Sequence, residues 1–193
     1  MSRINKELYE YYIKPENINS IINIYRDFPL IKDQLIEDFF SEVNNEIKLL
    51  LPEKDWHIYF VTDSDEYEIE ISVTPNTIFS GGFNTSCWLS FWNMTNRCYL
   101  RLWIWDEFEF NYEDIMKKAE DLNPPGWKLV KVKKKGDEEL LWKWAPADFD
   151  VLESLETILP NNRKSLVQKF AKEMADAAIS LKPLMEYIHK ARI

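Results

Sequence analysis

The sequence predicts an α+β fold: one antiparallel sheet of about six strands, its central hairpin at residues 85–105, covered by long N-terminal and C-terminal helices. Three observations predict it. Apolar residues recur at helical spacing before Pro52, alternate over Trp56–Trp105, and return to helical spacing in the last third of the chain. The stretch Thr85–Trp105, TSCWLSFWNMTNRCYLRLWIW, sets two apolar runs around the polar break Asn93–Arg97, a hairpin signal rich in aromatic residues. Two long amphipathic segments, Ile31–Leu51 and Ser165–Leu181, lie outside the strand region and supply the cover.

Taken in order, Ile4–Ile13 reads as a short amphipathic helix, with Ile4, Leu8 and Tyr11 at helical spacing and Pro15 as its stop. Asn17–Arg26 resumes the pattern, and Asp27-Phe28-Pro29 predicts a break. Ile31, Leu35, Phe39, Val43, Ile47 and Leu50 then follow one helix face until Pro52. Trp56–Val61 and Tyr67–Val73 are strands around an Asp63-Ser64-Asp65 turn. The second strand carries one polar face, so it is expected near a sheet edge. Pro75-Asn76 and Ser80-Gly81-Gly82 punctuate the approach to the central hairpin. Asn111 is positioned to cap a helix with Tyr112, Ile115, Met116, Ala119 and Leu122 on one side. Trp127–Lys133 and Glu139–Trp144 form a second hairpin with a turn at Gly136. Asp148 caps a short helix ending at Leu159, and Leu166, Phe170, Met174, Ala177, Ala178 and Leu181 line the last helix, which Pro183 is expected to kink or break. No internal repeat or linker interrupts this order, so residues 1–193 read as a single domain.

Within the central hairpin, an even loop at Asn93–Asn96 puts Cys87, Leu89 and Phe91 on one face with Cys98, Leu100, Leu102 and Ile104. Trp88, Ser90 and Trp92 then share the other face with Tyr99, Arg101, Trp103 and Trp105. In that register Cys87 faces Leu102 and Cys98 faces Phe91, leaving the cysteines roughly 13 Å apart along the strands. A disulfide needs Cα atoms within about 7 Å. Two buried free thiols and a reducing, cytoplasmic compartment are the expectation.

Composition excludes several function classes. Four glycines and the lack of any G-x-x-x-x-G-K-[ST] or G-x-G-x-x-G string remove the phosphate-cradling loops. A net charge of −9 disfavours nucleic acid and suits a basic protein partner. No run approaches the roughly 18 apolar residues of a spanning helix, so no membrane role is expected. Two cysteines with only His57 and His189 are too few for a zinc site. Asp63-Ser64-Asp65 fails as a calcium loop, which requires Gly and Glu where this chain has Glu68 and Thr74. The one E-x-K string, Glu46-Ile47-Lys48, sits in the strongest early helix, where its carboxylate and ammonium point apart. The Asp106/Glu107/Glu109 cluster reads as a strand end, and the Lys128–Lys135 run is offset by Asp137, Glu138 and Glu139. No catalytic residue, metal ligand or cofactor is assigned.

The candidate binding residues are Trp88, Trp92, Tyr99, Arg101, Trp103 and Trp105. Aromatic rings with an arginine among them can stack a planar ligand or anchor a partner. The competing and favoured expectation is that a helix covers these rings as core, with Arg101 running its stem over them toward Glu68 or Glu70.

In layout, GWKLVKVKKKGDEELLWKW (Gly126–Trp144) and LVQKFAKEMADAAISLKPLMEYI (Leu166–Ile188) resemble the tryptophan-rich strand and closing amphipathic helix of the C-terminal accessory region carried by many bacterial and phage proteins of the PD-(D/E)XK nuclease superfamily. The order of a long helix, Ile31–Leu51, entering the first strand is similar too. The catalytic carboxylates and lysine of that superfamily are missing, so the resemblance implies a stand-alone module without nuclease chemistry. The functional expectation is a non-catalytic acidic protein acting by protein–protein contact, as an inhibitor or accessory factor in a bacterial or phage defence-type system. The alternative is a small-molecule or nucleotide-binding protein with an aromatic/arginine pocket on the sheet.

Overall fold

A computed structural model describes residues 10–11, 14–63, 68–79, 85–94, 97–105, 108–122, 124–136, 139–147, 149 and 152–193. Part or all of Ile4–Ile13, of the Asp63-Ser64-Asp65 turn, of Ser80-Gly81-Gly82 and of the Asp106/Glu107/Glu109 cluster lies outside these residues, as does Asp148. The described elements are α1 (Pro15–Leu50), β1 (Trp56–Asp63), β2 (Glu68–Pro75), β3 (Cys87–Met94), β4 (Arg97–Ile104), α2 (Tyr112–Leu122), β5 (Lys128–Leu129), β6 (Glu139–Trp144), α3 (Leu152–Thr157) and α4 (Lys164–Lys190). The architecture is α+β with one six-stranded antiparallel sheet in the order β1-β2-β3-β4-β6-β5. The β3–β4 hairpin occupies its middle, as the two-sided apolar pattern requires.

Alternation decides which side chains meet the helices. Ile71, Val73, Leu89, Phe91, Leu100, Leu102 and Ile104 are wholly or almost wholly buried on one face. Phe170 of α4 packs on Phe91 at 5.3 Å between ring centroids, and the Cys87 thiol donates to the Met185 carbonyl of the same helix at 3.6 Å. α1 lies beside α4, and Phe39, Phe40, Phe149 and Phe170 form an edge-to-face cluster between them. Such rings bury large areas and favour this geometry through their quadrupoles. Lys143, whose backbone pairs with Leu100, ion-pairs with Glu173 of α4, and Arg163 pairs with Glu42 across the two helices.

Several expectations are corrected. No break occurs at Asp27-Phe28-Pro29, because α1 runs through Pro29. A proline there removes one backbone donor, whose lost acceptor is the carbonyl of Tyr25. Tyr25 is 83% exposed, so water can take that place. α4 likewise continues through the exposed Pro183. β2 lies beside the edge strand β1, near the sheet edge as its pattern predicts, but its polar face is not the wet one expected. Its polar face misled because Ser72 and Thr74 are buried and hydrogen-bonded, Ser72 to Ser90 and Thr74 to the Cys87 carbonyl. The hairpin pairs Cys87 with Ile104 and Cys98 with Asn93, two residues from the expected register. A two-residue slip preserves the faces. It also carries the cysteines further apart, and both are buried free thiols. Burial pushes the Cys87 thiol up to about 12, against a smaller opposing hydrogen bond from Ser86.

The sequence-predicted Asn111 cap and Gly136 turn are present. Asn111 Oδ1 accepts from the Asp114 amide at 3.4 Å while its Nδ2 donates to the Asp114 carboxylate at 2.6 Å. Gly136 has φ of 92°, which a tight turn in the second hairpin needs and a Cβ would strain.

The aromatic face of the sheet

The face turned away from α1 and α4 carries His57 and Tyr59 from β1, Glu70, Ser72 and Thr74 from β2, and Trp88 and Ser90 from β3. Tyr99, Arg101 and Trp103 from β4, with Trp142 and Trp144 from β6, complete it. These positions share a face because each is cross-strand partner to the next. The rings contact one another in three groups. At the β1 end, His57 stacks on Phe79 at 3.7 Å and 12° between planes. Both rings flank Trp88, at 5.9 and 6.1 Å, and Tyr59 approaches it at 6.4 Å. In the middle, Trp103 and Trp105 lie 5.3 Å apart, and the Arg101 guanidinium sits 5.3 Å from the Trp103 centroid. At the β6 end, Tyr99, Trp142 and Trp144 pack edge to face, and the Lys128 ammonium lies 4.5 Å from the Trp142 ring.

Beneath the rings runs a polar line. The Trp103 indole N–H donates to Ser90 Oγ at 2.7 Å, Ser90 is 2.6 Å from Ser72 Oγ, and Ser72 donates to the Glu70 carboxylate. Every donor in this chain finds an acceptor, so two fully buried hydroxyls are tolerated in mid-sheet.

Burial sets the local electrostatics. It holds the His57 imidazole below its ordinary value, because the charged form loses hydration against Phe79 and Trp88. Burial raises the Glu139 carboxyl, and Arg101 opposes that shift as a nearby positive charge. Arg101 therefore couples to Glu139 on the β6 side.

Of the six sequence-predicted residues, Tyr99, Arg101, Trp103 and Trp105 are half-buried and Trp88 is buried. The Trp92 backbone pairs with Glu70 and Tyr99, and its side chain lies outside the described set. The expected covering helix is on the other face. Trp88 owes its burial to the loop residue Phe79 and to β1. Sequence reasoning missed His57, Tyr59 and Phe79, although the β1 alternation already separated His57 and Tyr59 from Trp56, Ile58 and Phe60. It also missed Trp142 and Trp144, whose face follows only from the β4–β6 register. Two shallow grooves lie elsewhere, one of about 490 Å³ between α2 and Lys131–Lys133 and one of about 530 Å³ beside Glu156 and Lys169. Among the described residues no group of three His, Cys, Asp or Glu side chains is placed to hold a metal ion, and no helix is long and apolar enough to cross a membrane. No protein-family model, curated protein or solved structure matches this chain.

Proposed function

We propose that the protein is a non-catalytic binding protein that contacts another protein through the aromatic face of its sheet. The observation that carries this reading is the strip of rings from β1 to β6, ending in Tyr59 at 53% and Trp144 at 56% exposure, on the face opposite the helical layer. Tryptophan, tyrosine and arginine are the side chains that dominate protein–protein contacts, through large area and few rotors. The hydrogen-bonded serine line and interlocked rings fix the surface in advance, which reduces the entropy lost on binding. The acidic chain favours a basic partner in a reducing cytoplasmic compartment, and the protein acts as an inhibitor or accessory factor in a bacterial or phage defence-type system. A small-molecule or nucleotide pocket is disfavoured because Arg101 already occupies the stacking space on Trp103.

The test is affinity capture from the native host with wild type and Trp144→Ala in parallel, followed by titration of the recovered protein. A partner that binds wild type and not the variant is the expected result. A protein partner that binds both equally would remove the aromatic face as its site. Capture of no protein, with a nucleotide raising the melting temperature, would favour the pocket.

A further inference from the structure

The N-terminal part of α1 does not belong to the body. No described side chain from residue 15 to residue 35 is buried, and burial begins at Ile36. The described hydrogen bonds of this segment are local: Asn17 to the Tyr11 carbonyl, Arg26 to Asp27, Gln34 to Asp38. Ile22, Tyr25, Phe28, Leu30 and Ile31 stand 42–83% exposed. Residues 15–35 span about 30 Å of helix. An isolated helix of that length is marginal in water, and an interior proline weakens it further. Such an arm needs a surface against it.

Its sequence states which surface. Ile21, Ile24, Phe28 and Ile31 are spaced three, four and three residues apart, the a/d repeat of a coiled coil, and Leu35, next in the series, packs against the core where the arm joins the body. Pro29 falls outside that seam. The core-facing residues Ile36, Phe39, Phe40, Val43 and Ile47 lie roughly a quarter turn round the helix from it, so a neighbouring helix on the seam clears the body. With Phe28 at a, Asp27 takes a g position and Lys32 the next e position. Parallel coiled coils bring g of one helix against the following e of its neighbour. Asp27 of one copy then meets Lys32 of the other, and the reciprocal pair forms as well. The Arg26–Asp27 ion pair does not prevent this, since both side chains are largely exposed.

We infer that residues 15–35 are a self-association arm, which packs in parallel against the same arm of further copies of this chain. The seam is short, but each arm is already nucleated by the part of α1 held in the body. Isoleucine at both d positions favours three or four strands over two. This interface is separate from the aromatic face and stands without the function proposed for it.

The experiment is light scattering at micromolar concentration with three sets of variants. Wild type is expected at roughly two to four times the monomer mass. Ile31→Lys is expected to be a monomer with unchanged tryptophan fluorescence, because every tryptophan lies in the body. Asp27→Lys sets like charge against Lys32 and is expected to weaken association roughly fivefold, with recovery in Asp27→Lys/Lys32→Asp. Single Ile24→Cys and Ile31→Cys variants should each form same-residue crosslinks, since Cys87 and Cys98 are buried. A monomeric wild type overturns the proposal, whether or not the arm then binds lipid vesicles or another protein. So does an oligomer indifferent to Ile31→Lys, or a crosslink only between Cys at 24 and Cys at 31, which marks antiparallel pairing.

Discussion

The two faces of this sheet are built from the same strands by different rules. The helix face is aliphatic and phenylalanine-rich, carries almost no polar group, and is sealed by α1 and α4. The opposite face is made of tryptophan, tyrosine, histidine and arginine over a line of hydrogen-bonded serines, and it is only half sealed. On the first face a side chain contributes mainly through buried area and close packing. On the second, rings hold one another in place while keeping an edge in reach of solvent, as Tyr59 and Trp144 do. On the function proposed above, stability and recognition fall on opposite sides of one layer.

The largest expected effect lies on the helix face. Phe170 is fully buried among Phe39, Phe40, Phe91 and Phe149, so Phe170→Ala should cost about 3–5 kcal/mol in urea unfolding or abolish soluble expression. A variant that unfolds close to wild type would mean the two faces are not energetically distinct. Next comes the polar line. Ser90→Ala leaves the Trp103 indole N–H and the Ser72 hydroxyl without their shared partner, an expected loss of about 1–3 kcal/mol by the same measurement. A neutral result would show that this line does not hold the rings.

A smaller effect should appear with acid. His57, on the aromatic face, and His189, which contacts Ser86 at 3.2 Å from α4, are the two histidines of the chain. Burial lowers both, with Arg192 adding to the effect at His189. A lowered folded value means their contribution to stability is present above the ordinary histidine value, about 6.5, and fades as pH falls below it through the folded values. The melting temperature should therefore drop below about pH 6.5. His57→Gln and His189→Gln should each remove part of that slope, and their ratio reports how the two faces share it. The smallest stability effect belongs to Trp144→Ala, about 1 kcal/mol by thermal melting, for the loss of its edge-to-face contacts with Tyr99 and Trp142. The same change should weaken partner binding by about 2 kcal/mol or more. A sharp fall in melting temperature would make Trp144 a structural residue and collapse the contrast.

Much of the fold is legible in the sequence because period and parity survive small errors. Alternation placed Cys87, Leu89 and Phe91 opposite Trp88 and Ser90 despite a two-residue misregister, since slips of two keep every side chain on its face. The sequence could not say which face the helices take, because both were apolar enough to want cover. In the structure α4 packs on the β2 and β3 face that carries Val73, Leu89 and Phe91, while the rings opposite contact one another. The burial of the polar face of β2 was also hidden, since a hydrogen-bonded Ser72–Ser90 pair looks from sequence like a wet face. Pro29 read as a stop, yet a proline is tolerated where the orphaned carbonyl faces water, and that exposure is a three-dimensional fact.

The helical layer also dictates an order of assembly. β1 to β4 pair with one another in sequence order, β1 with β2, β2 with β3 and β3 with β4, so that part of the sheet forms through short loop closures. α1 meets α4 across more than a hundred residues, as the Arg163–Glu42 pair marks. During synthesis the strands therefore emerge long before their lid. Phe91 and the part of that apolar surface that α4 covers stay open until residues 164–190 have left the ribosome. The nascent chain is a half-finished sheet with a greasy side, the kind of species chaperones hold and aggregation claims. α4 is the latch that ends this interval, and its closing converts a vulnerable intermediate into the native protein.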